Sequence, residues 1–241
     1  DAQDALEHRQ LRLRNDTERP RRIEISSFME LALAHAAADL GHPSFLKLFV
    51  QTRCDAARGA LLATRRSRGH GERWPTLVHA MVGATPDAWE TDRLALLGRG
   101  RDARDPALQM RGGTGNVLDA AFGLRTTLML APQQTIELGF LLGSAVDEAS
   151  ALALARRHNA TAFSAAPSFD PPATEPVLEH GFSAAGDEYR IVLRANGTRL
   201  QRPPVPWTNV LANPDFGGIV SETGAGAPWS MGFCAGSIPT G

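Results

Sequence analysis

Cysteine is nearly absent from this sequence: Cys54 and Cys234 are the two, far apart and outside any metal-ligand spacing. Neither a disulfide framework nor a zinc finger follows from such a pair; a single bridge is unsupported, and two thiols in a reducing cytoplasm are expected. Charge of one sign is also lacking. The formal net charge is −1, so nothing favours nucleic acid or an anionic membrane surface as a partner. No run approaches the ~18 apolar residues of a membrane-spanning helix. The opening Asp1-Ala2-Gln3-Asp4-Ala5-Leu6 carries no basic-then-apolar leader, and a cytoplasmic location is expected. Lysine is down to Lys47 among 25 Lys and Arg residues, a codon signature of a GC-rich, bacterial genome. There is no Gly-x-Ser-x-Gly elbow, which removes the serine-hydrolase reading.

What is present suffices for a core. Of the 241 residues, 43% are hydrophobic and 21% charged, ordinary values for a globular chain with one large all-β domain or two small ones. Leu11 and Leu13 alternate with arginines at the period of a half-buried strand. Asn15-Asp16-Thr17-Glu18-Arg19-Pro20 is a turn by residue type, and a second strand runs from Arg22 through Ile23, Ile25 and Phe28 towards Leu33, so the two read as an antiparallel hairpin. Further strands are expected at 45–52, 60–65, 77–82, 122–130, 135–143, 188–194 and 207–212. One helix is expected after Asp147 as N-cap, with a stripe through Ala149, Leu152, Leu154 and Ala155 and with Arg156, Arg157 and His158 at its negative end. The organisation is an antiparallel β-sandwich over 1–145, a helix over 146–166, a Pro-rich linker over 167–180, a partial second sandwich segment over 181–226 and an irregular tail over 227–241. Asn15-Asp16-Thr17, Asn159-Ala160-Thr161 and Asn196-Gly197-Thr198 fit a glycosylation sequon; without a secretory leader they read as turn residues.

Three composite stretches carry a family resemblance. The first is Arg21-Arg22-Ile23-Glu24-Ile25-Ser26-Ser27-Phe28-Met29-Glu30, continued by His42-Pro43-Ser44-Phe45 and Lys47-Leu48-Phe49-Val50-Gln51-Thr52. The second is Trp89-Glu90-Thr91-Asp92-Arg93 with Leu97-Gly98-Arg99-Gly100-Arg101. The third is Trp207-Thr208-Asn209-Val210-Leu211-Ala212-Asn213-Pro214 with Val220-Ser221-Glu222-Thr223-Gly224. Over 6–163 and 181–226 the chain resembles the cyclic β-1,2-glucan synthases and the glycoside phosphorylases related to cellobiose phosphorylase. The resemblance implies an all-β antiparallel "supersandwich" that accompanies an (α/α)6 barrel. In that family the barrel supplies the carboxylic acid, and the synthases add a membrane-embedded glycosyltransferase that uses UDP-glucose. This chain has neither, so no catalytic residue, cofactor or metal is expected in it. It departs from the family where only a short linker separates the two matching stretches and where 227–234 matches nothing; a deletion with a frame-shifted or truncated tail is the expectation. The function implied is a non-catalytic, carbohydrate-associated sandwich domain in glucan synthesis or chain processing. Its expected partners are a β-glucan or oligosaccharide, the barrel and a second copy of the chain. The alternative is a stand-alone carbohydrate-binding module or a structural remnant.

Five residues are candidates for sugar or phosphate contact: Trp89, Asp92, Arg93, Arg99 and Arg101. Arginine forks match oxyanions and vicinal hydroxyls, and Gly98 and Gly100 let a backbone come close. Against this stands a solvated loop of Asp–Arg pairs, the commoner fate of such clusters. His35, Asp39 and His42 fall at helical spacing, but Pro43 follows and a capped turn is the better reading than a metal site. Gly112-Gly113-Thr114-Gly115-Asn116 lacks a P-loop ending and reads as a flexible loop. Asp119 reads as a turn former. Glu90 with Asp92, and Asp187 with Glu188, are close in sequence, but nothing places either pair across a cleft as glycoside hydrolysis requires. Trp74 lies near a loop where it can stack on a sugar ring, against core packing as the commoner fate of tryptophan.

Overall fold

The computed structural model describes residues 4–159, 180–182, 189–191, 195–196, 199–200, 207–222, 225–230 and 233–237. One antiparallel sheet runs in the order β1 (Leu6–Arg14), β9 (Thr135–Ala145), β6 (Thr76–Val82), β5 (Ala60–Arg65), β4 (Val50–Asp55). The facing sheet runs β14 (Thr208–Ala212), β15 (Phe216–Ser221), β16 (Gly226–Ser230), β17 (Phe233–Ser237), β3 (Met29–Ala34), β8 (Ala120–Leu130), β2 (Arg21–Ser26), with β7 (Ala88–Asp92) also on β8. Two short pairs lie outside both sheets: β10 (His180–Phe182) with β11 (Tyr189–Ile191), and β12 (Ala195–Asn196) with β13 (Arg199–Leu200). Every pairing is antiparallel, and the architecture is the expected all-β sandwich.

The core lies between the sheets. Leu31 and Leu33 of β3, Leu61 of β5, Leu77 of β6, Phe122 and Leu124 of β8 and Leu138 of β9 are all buried there. Each such side chain contributes roughly 1.5–3 kcal/mol by leaving water. The other face of β5 and β6 is covered as well. Helix α4 (Glu148–Asn159) lays Ala151 and Ala155 on Ala60, Leu62, Val78 and Ala80. That double covering explains why β6 is buried at every position rather than at every second one. Asp147 caps the helix as expected, its Oδ1 accepting from Ser150 N at 2.7 Å.

Several expectations are corrected. β1 and β2 are not a hairpin: β1 pairs with β9 and β2 with β8, so residues 15–20 carry the chain from one sheet to the other. Residues 131–134 cross back beside them, and Asn15 ties the two crossings. Its Nδ2 donates to Arg19 O, Leu130 O and Ala131 O at 2.8–3.1 Å, and its backbone pairs with Gln133 and Gln134. A side chain so buried and spent is no glycan acceptor. The strand drawn from Arg22 to Leu33 is broken between β2 and β3, where Ser27 turns to bond across the sheets. Residues 36–47 form the short helices α1 (Ala36–Gly41) and α2 (Pro43–Lys47), so β4 starts at Val50 rather than at Phe45; Pro43 at the first turn of α2 favours that start. The stretch expected to be an irregular tail contains β16 and β17. β17 pairs with β3 and buries Ala235 in the core, covering an edge that would otherwise be open. The expected linker at 167–180 falls on residues outside those described, except His180.

Among the described residues β14 pairs with β15 alone, and all five of its residues are exposed, Val210 at 59% and Leu211 at 57%. An apolar edge without charge or proline is a template for another strand. Val210→Lys is expected to lower self-association at high concentration; light scattering unchanged from the parent would contradict this.

Among the described residues no helix is long and apolar enough to cross a membrane.

Candidate functional site

The candidate residues gather around one lobe that grows from the end of β7. Asp92 closes the strand and caps α3 (Arg93–Leu97), its Oδ1 accepting from Leu94 N at 2.9 Å. Leu96 and Leu97 anchor that helix in the core, with Leu96 pressed against Gly123, where a Cβ would overlap it. The turn out of α3 requires Gly98, at φ +89. The chain then doubles back: Ala107, Leu108 and Gln109 donate their N–H groups to Leu97, Leu96 and Ala95 carbonyls at 2.8–3.0 Å. The lobe is therefore a stitched hook, not a loose loop.

Within it the five residues do different things. Arg93 lies at the base in an alternating quartet of charges. Its Nε donates to Glu30 Oε1 at 2.6 Å and its Nη1 lies 3.8 Å from Asp119 Oδ2. Lys47 Nζ reaches Asp119 Oδ1 at 2.6 Å and Glu30 Oε2 at 3.8 Å. The Glu30 hydrogen bond raises the Arg93 pKa above its ordinary value against the opposing pull of burial. Asp119 is thus a bridging anion between α2 and α3, beyond the turn role read from the sequence. Arg101 is held in a two-pronged fork by Asp105, at 2.6 and 3.1 Å. Arg99 is exposed and makes no ion pair among the described residues. Trp89 packs half-buried against the core and beside Gly112, with its Nε1 buried and without a hydrogen-bond partner among the described residues. Asp92 and Arg93 are thus committed to the scaffold, and Arg99 and Arg101 are the ones presented outward.

The sequence reading missed what holds this lobe. Glu90 is 2% exposed and forms no ion pair among the described residues. Its Oε1 accepts from Thr91 N and Asp92 N at 2.8 and 3.1 Å, and its Oε2 from Arg111 N and Gly113 N at 3.2 and 3.3 Å. Four backbone dipoles take the place of a counter-ion. A Cβ on Gly113 would overlap Glu90 Oε1, so the glycine is there for close approach. The glycine run is then sewn to β4: Gly115 exchanges hydrogen bonds with Thr52 at 2.8 and 3.0 Å, and Thr91 Oγ1 donates to Gly113 O at 2.8 Å. The flexible-loop reading of 112–116 is corrected accordingly. Nothing in the local pattern marked Glu90, because its donors on Arg111 and Gly113 come from more than twenty positions away.

Two other polar features lie apart. Arg65 is buried, donating Nη1 to Leu33 O and Leu46 O at 3.1 and 3.0 Å, with its guanidinium 4.6 Å from the Trp74 ring; burial lowers its pKa. Trp74 also meets His35 and Phe233, at ring separations of 5.5 and 4.5 Å, and so packs within an aromatic group. His35 belongs to that group, and among the described residues no three His, Cys, Asp or Glu are grouped to hold a metal. Cys54 is a free, half-buried thiol.

Comparison with known proteins bears on this arrangement. A family described as glycosyl hydrolase 94, supersandwich domain, matches residues 1–161 and 188–233, taking in the five-stranded sheet, the lobe, α4 and most of the C-terminal strands. The cyclic beta-(1,2)-glucan synthase NdvB of Rhizobium meliloti (strain 1021) is 29% identical over 150 residues, covering 58% of this chain. The chain spans 5% of that relative's length.

Proposed function

From the premise that this chain belongs to the glycosyl hydrolase 94 supersandwich family, we propose that it is the non-catalytic sandwich domain of a glucan synthase or glycoside phosphorylase, acting in glucan synthesis or chain processing. The chemistry is supplied by a helical barrel elsewhere in the whole enzyme, on the cytoplasmic side, and the sandwich shapes the rim of the sugar cleft. The observation that carries this reading is the stitched lobe, which holds Arg101 in its fork with Asp105 and leaves Arg99 exposed. A preorganised, exposed guanidinium is suited to bridging vicinal hydroxyls.

Calorimetric titration with linear and cyclic β-1,2-glucans, with cellobiose as control, tests it. Saturable binding of the β-1,2-glucans is expected, weakened at least tenfold in an Arg99→Ala/Arg101→Ala double variant. Absence of binding by a folded, monodisperse sample would instead make the domain pure scaffold.

A further inference from the structure

The inward face of β1 carries an anomaly. Leu11 and Leu13 point into the sandwich, as a strand of period two requires, yet Glu7 and Arg9 share that face and are only 19% and 31% exposed. They pair through Arg9 Nε and Glu7 Oε1 at 2.5 Å. A charged pair on a core-facing position is costly to bury and poorly explained by stability, since apolar residues of like volume would serve as well or better.

The pair stands at the mouth of a cleft of about 320 Å³, between β1 and β9 on one side and residues 26–29 on the other. Leu11, Phe28 and Phe140 line it. His79, 5% exposed, also lines the cleft and is fixed there by hydrogen bonds with Ser27 Oγ across the sheets at 2.7 Å and with Leu141 O at 2.8 Å. Ala103, from the same lobe that bears Arg99 and Arg101, also lines the cleft. Among the described residues Glu7 Oε2 and the Ser26 hydroxyl take part in no hydrogen bond.

The geometry points to this cleft as a binding site for a neutral sugar of one or two rings, seated between Phe28 and Phe140 with its hydroxyls on Glu7 and Ser26. The paired rim has no net charge to attract an ion. The walls suit the C–H faces of a pyranose, and the unspent acceptor and hydroxyl suit its O–H groups. The volume lies at the small end of the ~300–1,000 Å³ range of small-molecule sites, which excludes a long chain from the interior. The inference deepens the function proposed above but rests on different residues: the lobe's arginines grip a chain outside, and the cleft takes a terminal unit.

Titration with the β-1,2-linked glucose disaccharide and with a longer linear β-1,2-glucan separates the two. In a Ser26→Trp variant, which fills the cleft, disaccharide binding is expected to weaken at least tenfold, and Glu7→Gln, which leaves the cleft open, is expected to weaken it several-fold. Arg99→Ala/Arg101→Ala is expected to spare the disaccharide and weaken the longer glucan. Urea midpoints of each variant establish that it folds. Disaccharide binding that survives both Ser26→Trp and Glu7→Gln, or none by the folded parent, overturns the cleft assignment. Longer-glucan binding indifferent to the arginine pair overturns the lobe reading instead.

Discussion

Replacing Glu90 with alanine is expected to cost about 3–5 kcal/mol of folding stability, at the upper end of what single substitutions do. Four backbone N–H groups lose their acceptor at once, that of Thr91 buried and the other three part-buried; a buried donor left unpaired costs roughly 1–3 kcal/mol and a part-buried one less, offset in part because a charge no longer has to be buried. Glu90→Gln keeps the shape but turns an –NH2 toward donors that need an oxygen, so it is expected to fall between alanine and the parent. Urea unfolding measures both. Hydrogen exchange supplies the local reading: the amides of Thr91, Asp92, Arg111 and Gly113 should lose protection together, since one carboxylate serves all four. A cost under 1 kcal/mol for the alanine variant, or exchange confined to one of those amides, would show that the lobe is held some other way.

Acid is expected to weaken the sandwich through His79 before it touches the surface carboxylates. The ring is 5% exposed and stacks between Phe122 and Phe140, with centroids 5.8 Å from each, and desolvation pushes its pKa down to about 4 from 6.5. The neutral ring is well served: with Nδ1–H donating to Leu141 O, Nε2 accepts from the Ser27 hydroxyl, whose oxygen in turn accepts from Leu124 N. Protonation puts a second N–H against that hydroxyl and strips a charge of its water, a cost that contact with the two ring faces does not repay. Between pH 6.5 and 4 the unfolded chain therefore binds a proton that the folded chain refuses. The stabilisation is complete above about 6.5, is lost as pH falls through this window, and levels off below 4; its size is about 3 kcal/mol. His8, also pushed down by burial, adds loss of the same sign. The lowered carboxylates Asp4, Asp87 and Asp147 lose their contributions at lower pH, beneath the histidine window. Urea unfolding at pH 7 and pH 4 measures the sum, and the imidazole carbon resonances isolate His79. A His79 midpoint near 6.5 would mean that the ring is open to water.

How far the residues announced this molecule depends on the range of each interaction. The period-two alternation of β1, the predominantly apolar stretches of β5 and β6 and the Asp147 cap of α4 are local, and each was legible because side-chain direction within an element follows from the backbone repeat. The same alternation could not say that β1 would pair with β9 rather than with β2. It also left the glycine-containing strands β16 and β17 looking irregular, since β17 closes on β3, some two hundred residues away, and β16 is held between β15 and β17. The candidate loop was found from its residue types, but its parts were not. Asp92 and Arg93 looked like ligand contacts because nothing nearby in the chain showed that one caps a helix and the other answers Glu30.

Composition and periodicity thus determined that this chain forms an antiparallel sandwich with one covering helix, because the choice between strand and helix is made over a few residues. Only the tertiary structure decided that Glu90 is a clasp, that Lys47 and Asp119 bridge two helices, and that Glu7 and Arg9 face a cleft lined by His79. Those roles depend on groups brought from distant positions by the closing of two sheets, and a buried polar atom has no defined partner until that closure has occurred.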